Sequence, residues 1–174
     1  MKKFKFIFIM CITLSLSVCL LTGCTNNKGE EENQNEKQEE KQEEKTVATT
    51  LGEQFESEIK NEKNIEKVAK KIADNEVLEI SVDVSQIQKK DYISGFQKEI
   101  KGFKNAYAIR PMIGTIPFVA YIFEVENANE FAEELKSNAD LRWNICTEAD
   151  EMNAVVSGDY VFFVMSPKNF EQAE

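Results

Sequence analysis

From Thr25 to Lys45 the chain is, apart from Thr25 and Gly29, all Asn, Gln, Glu and Lys with no large apolar side chain, too little to offset the entropy of ordering a backbone. That run splits the sequence into three parts with different physics. Ahead of it lies an apolar stretch, Phe6 to Leu21; behind it lies Leu51 to Glu174, the 124 residues that alone can build a core. A domain of that size needs no disulfide or metal staple, and it is too short for a two-lobed solute receptor. The expected organisation is a leader over residues 1–23, a tether over 24–50 and a globular domain over 51–174. Within the tether Lys37, Lys41 and Lys45 recur every four residues, which supports only fleeting helix worth tenths of a kcal/mol. About 22 extended residues would reach roughly 75 Å, so the segment reads as a spacer.

The leader starts with Lys2, Lys3 and Lys5, continues as an almost unbroken apolar run and ends in Leu21-Thr22-Gly23-Cys24. A basic start and an apolar middle are the pattern of a secretory signal. Small residues at Thr22 and Gly23 admit a peptidase to the backbone, and the Cys24 thiol can accept diacylglycerol in thioether linkage. The stretch resembles the bacterial lipobox, with Leu21, Thr22 and Gly23 as the cleavage recognition residues and Cys24 as the lipid attachment site. The resemblance implies an exported lipoprotein on the extracytoplasmic face of the cell membrane, with the covalent lipid on Cys24 and no other cofactor. Several buried acyl methylenes at about 0.8 kcal/mol each would make a two-chain anchor stable. The competing reading is an uncleaved signal anchor, for which 16 apolar residues are short.

Lys2, Lys3 and Lys5 are the only charges ahead of Cys24, so removing them from 21 basic residues leaves 18 against 31 acidic ones, a net charge of −13. No basic stripe with interleaved aromatics interrupts that balance, and nucleic acid is a poor partner. Cys11 and Cys19 belong to the leader, so Cys146 is the single cysteine of the domain and has no internal disulfide partner. The chain has no histidine, which removes the usual general base and the commonest metal ligand.

In the domain, Phe55 and Ile59 mark one helical face and Ile65, Val68, Ala69, Ile72 and Ala73 another, out of phase with the first. A break near residues 61–64 follows, with Asn64 placed to cap the second helix. Leu78, Ile80, Val82 and Val84 alternate with polar residues, as a strand with one wet face does. Tyr92, Ile93, Phe96 and Ile100 suggest a short helix. Tyr107–Ile113 and Ile116–Val125 read as strands joined around Gly114-Thr115, the second apolar on both faces and therefore central, with Pro111 and Pro117 keeping their junction at an edge or bulge. Asn127 with Glu130 predicts a capping box for a helix carrying Ala128, Phe131, Ala132, Leu135 and Ala139. Residues 141–146 hint at an irregular strand, 152–156 and 160–165 at a hairpin about Ser157-Gly158-Asp159, and Ser166-Pro167 at a short terminal helix. The expectation is an α+β single domain: an antiparallel or mixed sheet of about four to five strands, with helices packed on one face.

Pro117-Phe118, the run Arg142-Trp143-Asn144-Ile145-Cys146-Thr147-Glu148-Ala149-Asp150-Glu151, and Val161-Phe162-Phe163-Val164-Met165 resemble small lipoproteins of clostridial-type Gram-positive bacteria, a family of unknown function. The similarity covers most of residues 65–167. It implies surface location and one α+β domain, and it carries over no catalytic or ligand-binding residue.

Four features are candidates for chemistry. Cys146 is a nucleophile only if a base or positive field lowers its pKa; Glu148, Asp150 and Glu151 act against that, and a buried structural thiol is the expected role. Thr147, Glu148, Asp150 and Glu151, with Asp159 more distant, offer oxygen ligands to a hard cation, but they lack the spacing and glycine of a calcium loop and read as a solvated turn. Carboxylate catalysis needs a pair in contrasting surroundings, which abundance alone does not supply. Arg142 and Trp143, with Tyr121 and Tyr160, are the candidate interaction surface, set against the plainer reading that such aromatics are core. Together these favour a noncatalytic interaction or ligand-binding module, partnered by the membrane through its lipid and by an envelope protein or small ligand. The alternative is a cell-envelope enzyme using carboxylates or Cys146.

Overall fold

The structure is a computed structural model and describes residues 45–170. Helix α1 spans Val47–Asn61 and α2 Ile65–Ala73; the strands are β1 Val82–Gln86, β2 Phe103–Pro111, β3 Val119–Val125, β4 Glu151–Ser157 and β5 Tyr160–Ser166, with helix α3, Ala128–Asn138, between β3 and β4. All five strands form one sheet in the order β1-β2-β3-β5-β4, every neighbouring pair antiparallel. The expected α+β architecture is the one observed.

Helix α1 begins four residues ahead of the expected domain boundary at Leu51. Thr46 caps it: its hydroxyl accepts from the Thr49 N–H, and the Thr49 side chain accepts from the Thr46 N–H. Val47 and Ala48 are buried, so the globular part includes them. The break between α1 and α2 falls where the phase change puts it, and the Asn64 carboxamide oxygen accepts from the Glu66 and Lys67 N–H groups.

Period-two alternation sends successive side chains of the central strands to opposite sides, and each side has its own core. Leu51, Phe55 and Ile59 of α1 and Ile65, Val68 and Ile72 of α2 are buried on Ile109, Ile122, Phe162 and Val164, with the Phe55 and Phe162 rings stacked at 5.4 Å. Each such fully buried side chain contributes about 1.5–3 kcal/mol. Phe131, Ala132 and Leu135 of α3 lie on the opposite side with Ala106, Ala108, Tyr121, Phe123 and Phe163. Helices therefore cover both faces, two on one and one on the other, where the sequence suggested one face. The reason is the doubly apolar character of β3 and β5: six of the seven residues in each are buried, and a strand apolar on both sides needs two covers.

Several local expectations give way. The strand expected from Leu78 starts at Val82, although Leu78 still enters the α1–α2 core. Tyr92 to Ile100 is a looped segment and no helix: Phe96 bridges to Ala139 and Gly95 has φ +88°, a backbone state open to glycine and costly for other residues. β2 begins at Phe103 and β3 at Val119, which leaves residues 112–118 as a longer loop than the pair Gly114-Thr115. Asn127 precedes α3 but makes no side-chain cap bond. Residues 141–146 form turns and bends, and 167–170 contain no helix. The β4–β5 hairpin is as expected, turning through Gly158 at φ +61°.

Candidate functional site

Arg142, Trp143 and Cys146 lie on the segment that leaves α3 and returns to β4. Asp140 organises its start, accepting the Arg142 N–H on its carboxylate and the Trp143 N–H on its carbonyl. Arg142 Nε donates to Glu148 at 2.7 Å, and the Ala149 N–H donates to the Leu141 carbonyl. The segment is sewn to the 112–118 loop from outside: Asn144 Nδ2 donates to the Gly114 carbonyl at 2.9 Å and reaches that of Ile116 at 3.4 Å, while the Thr147 hydroxyl donates to Thr115 at 2.8 Å. Trp143 is half-buried against the α3-side core, whereas Arg142 is exposed. Of the proposed surface pair, the tryptophan thus straddles core and solvent.

Cys146 is exposed, against the expectation of a buried thiol. A cysteine among carboxylates and without a base reads as a small buried hydrophobe, but the segment joins no ladder; Ala149 is the residue it buries, and Ile145 is 98 % exposed. The acidic residues point to separate tasks. Glu148 holds Arg142, Asp150 accepts from the Lys168 N–H, and Glu151 accepts from the Ala48 N–H at the start of α1. Asp159 sits at the far end of β5 from Asp150. The described residues contain no group of three acidic or thiol side chains set to hold a metal. Two carboxylates there have a displaced pKa, both downward: Glu62 through the Asn64 N–H and Lys67, Glu66 through its hydrogen bond from Lys70. Leu21, Thr22, Gly23 and Cys24 lie outside the described residues.

One hollow, of about 190 Å³, gathers chemistry from separate elements. Arg110 enters it from the end of β2, Val119 from the start of β3, Ser94 from the 87–100 segment, and Trp143 and Asn144 from the segment after α3. Arg110 occupies the same strand face as Ala106 and Ala108, and its guanidinium carbon lies 5.9 Å from the centre of the Tyr121 ring, a cation–π contact. Tyr121 is fully buried and its hydroxyl donates to the Ser94 carbonyl at 2.8 Å, with the Ser94 hydroxyl 3.0 Å away. Burial pushes the Tyr121 pKa up, against the pull of Ser94 and Arg110. Gly95 makes the wall possible: a Cβ there would overlap the end of Met165, and the indole of Trp143 stands 3.9 Å off.

The two other loops at this end carry exposed apolar side chains, Tyr92 at 78 % and Ile113 at 65 %. The sequence reading passed over Arg110, Ser94 and Asn144. For Arg110 a signal existed, because a charged residue continues the inward series Ala106, Ala108 on a strand. No protein-family model, curated protein or solved structure matches the chain.

Proposed function

We propose that the chain is exported, held at the extracytoplasmic face of the membrane by lipid on Cys24, and that its domain is a noncatalytic ligand-binding module. The leader and Leu21-Thr22-Gly23-Cys24 support the anchor. The binding end is the hollow among the 88–96, 112–118 and 141–147 loops. One observation carries this reading: an arginine at an inward position of the sheet and the only tryptophan of the chain line the same hollow. Pockets that bind small molecules combine apolar walls with a few placed polar groups, and this one has Ile116, Phe118, Val119 and Trp143 as walls.

Two measurements test it. Cys24→Ala should move the protein from the membrane to the soluble fraction, and retention in the membrane would refute the lipid anchor. For the module, backbone amide shifts of the mature chain carrying Cys24→Ala are mapped against a panel of acidic, basic and neutral small fragments. Shifts should concentrate at residues 94, 110, 114–119 and 143–144. A panel that shifts nothing there, or shifts only residues on the α1–α2 side, would remove the ligand-binding reading.

A further inference from the structure

The geometry points to a carboxylate as the ligand group of this hollow, bound by Arg110 and attached to a small flat apolar body that lies against Trp143. This inference rests on the ligand-binding reading and narrows it to a chemical class. Its basis is an accounting of the polar groups that line the hollow. Tyr121 has one hydroxyl proton and gives it to the Ser94 carbonyl, so in the 3.0 Å pair the Ser94 hydroxyl is the donor. Asn144 directs its carboxamide N–H groups to the Gly114 and Ile116 carbonyls. Both side chains are committed within the protein. Arg110 is not: its Nε is buried and has no hydrogen-bond partner among the described residues.

The other arginine of the chain, Arg142, has found Glu148, and lysines of α2 and α3 have found glutamates. Among the described residues no carboxylate reaches Arg110, in a chain with 31 acidic residues to choose from. A half-buried cation without a counter-charge carries a desolvation cost that a bound anion would remove. The Tyr121 ring lies beside the guanidinium, and its hydroxyl, protonated and given to Ser94, supplies no counter-charge. A planar carboxylate fits that remaining need, since it can accept from two N–H groups of one guanidinium at once. Phosphate fits less well: it brings more oxygens and more charge than one cation can satisfy, and among the described residues Arg110 is the one cation that lines the hollow. The volume equals about six waters of bulk liquid, the scale of a carboxylate on a single ring.

Benzoate and benzamide separate charge from shape, because they share the ring and differ in the anionic group. The reporter is Trp143 fluorescence, unambiguous in a chain with one tryptophan, with inorganic phosphate as a third probe. Benzoate should titrate the signal to saturation, and benzamide should bind at least about tenfold more weakly, the scale of one charge-assisted hydrogen bond. Arg110→Gln should bring benzoate down to the benzamide level, Arg110→Lys should recover only part of it, and Arg142→Gln should change it less than about twofold. Arg110→Gln should melt no lower than the parent chain, since it removes an uncompensated charge.

Equal binding of benzoate and benzamide, or benzoate binding indifferent to Arg110→Gln, would overturn the carboxylate assignment and leave the ligand-binding reading standing. Phosphate binding through Arg110 without benzoate binding would overturn it in favour of a phosphate site. If none of the three probes binds, the assignment falls, and the fragment map decides separately whether the module reading falls with it.

Discussion

Replacing Tyr121 with phenylalanine removes a single oxygen from the middle of the sheet and tests the architecture of the site wall. Tyr121 lies on β3, fully buried, with its ring against those of Phe96 and Phe123 at 5.9 and 5.7 Å. The substitution keeps these apolar contacts and deletes the 2.8 Å bond to the Ser94 carbonyl and the 3.0 Å hydroxyl pair. Leaving a buried acceptor unsatisfied costs about 1–3 kcal/mol; Ser94 is half-buried and regains some hydration, so about 1–2 kcal/mol is expected near neutrality. The alkaline behaviour gives a second, independent signature. Burial raises the folded-state pKa of Tyr121 above its ordinary 10.0. Above that ordinary value the unfolded chain has lost the proton and the folded chain retains it. Stability is therefore intact below pH 10 and declines as pH rises toward the folded pKa, by up to about 1.4 kcal/mol per pH unit for one proton. Tyr107 and Tyr160 shift in the same direction, desolvation first in each, but they lie nearer solvent and contribute less. Tyr121→Phe should thus be less stable than the parent at neutral pH and lose less on going alkaline, so the two stability curves converge. Urea unfolding followed by Trp143 fluorescence, at neutral pH and at steps above about pH 9, measures both limbs. A variant within about 0.3 kcal/mol of the parent at neutrality, falling equally steeply in alkali, would refute the hydrogen-bonded placement of Tyr121 against Ser94.

Gly95→Ala should destabilise by about 2–4 kcal/mol in the same assay, combining a left-handed backbone cost with overpacking against the buried Met165; a change under about 0.5 kcal/mol would mean that the turn is not held against the core. The two asparagines that precede helices should behave differently. Asn64→Ala forfeits a cap accepting two N–H groups and should cost about 1 kcal/mol, while Asn127→Ala, with no such bond, should stay within about 0.3 kcal/mol of the parent. Equal losses at the two positions would contradict the assigned cap geometries.

Elements whose signal is local were legible. The phase slip between Ile59 and Ile65 located the break after α1, and the oxygen of Asn64 needs only the two N–H groups beside it. β3 declared its central place through apolar residues on both sides, and the last hairpin through Gly158. The same both-sided character implies covers on two faces, an implication the sequence reading did not carry through for α3. Where spacing mimics another structure, local reading fails. Tyr92, Ile93, Phe96 and Ile100 recur at helical intervals, yet Ile93, Phe96 and Ile100 are simply the residues of a loop that face the sheet, and Tyr92 is out in solvent. Asn127 and Glu130 have capping-box spacing, but Asn127 sits at φ −118°, ψ 76° and its side chain makes no cap bond.

The site was legible in pieces and illegible as a site, for a reason that lies in how it is assembled. Trp143 and Arg142 stand out as neighbours in sequence, and adjacency suggested that they act together. On an irregular segment adjacent side chains diverge, and here Arg142 turns to Glu148 while Trp143 turns inward. The arginine that shares the hollow with Trp143 comes from a strand more than thirty residues earlier. What joins them is the pair of cross-loop hydrogen bonds from Asn144 and Thr147 to carbonyls of the 112–118 loop, which no periodicity encodes. Strand parity did hold a clue: once Ala106 and Ala108 are assigned inward, Arg110 must be inward too, and an inward charge asks for a partner. An arginine at such a position, with its buried Nε unsatisfied among the described residues, is a feature of this domain that packing alone does not explain. A ligand carboxylate would.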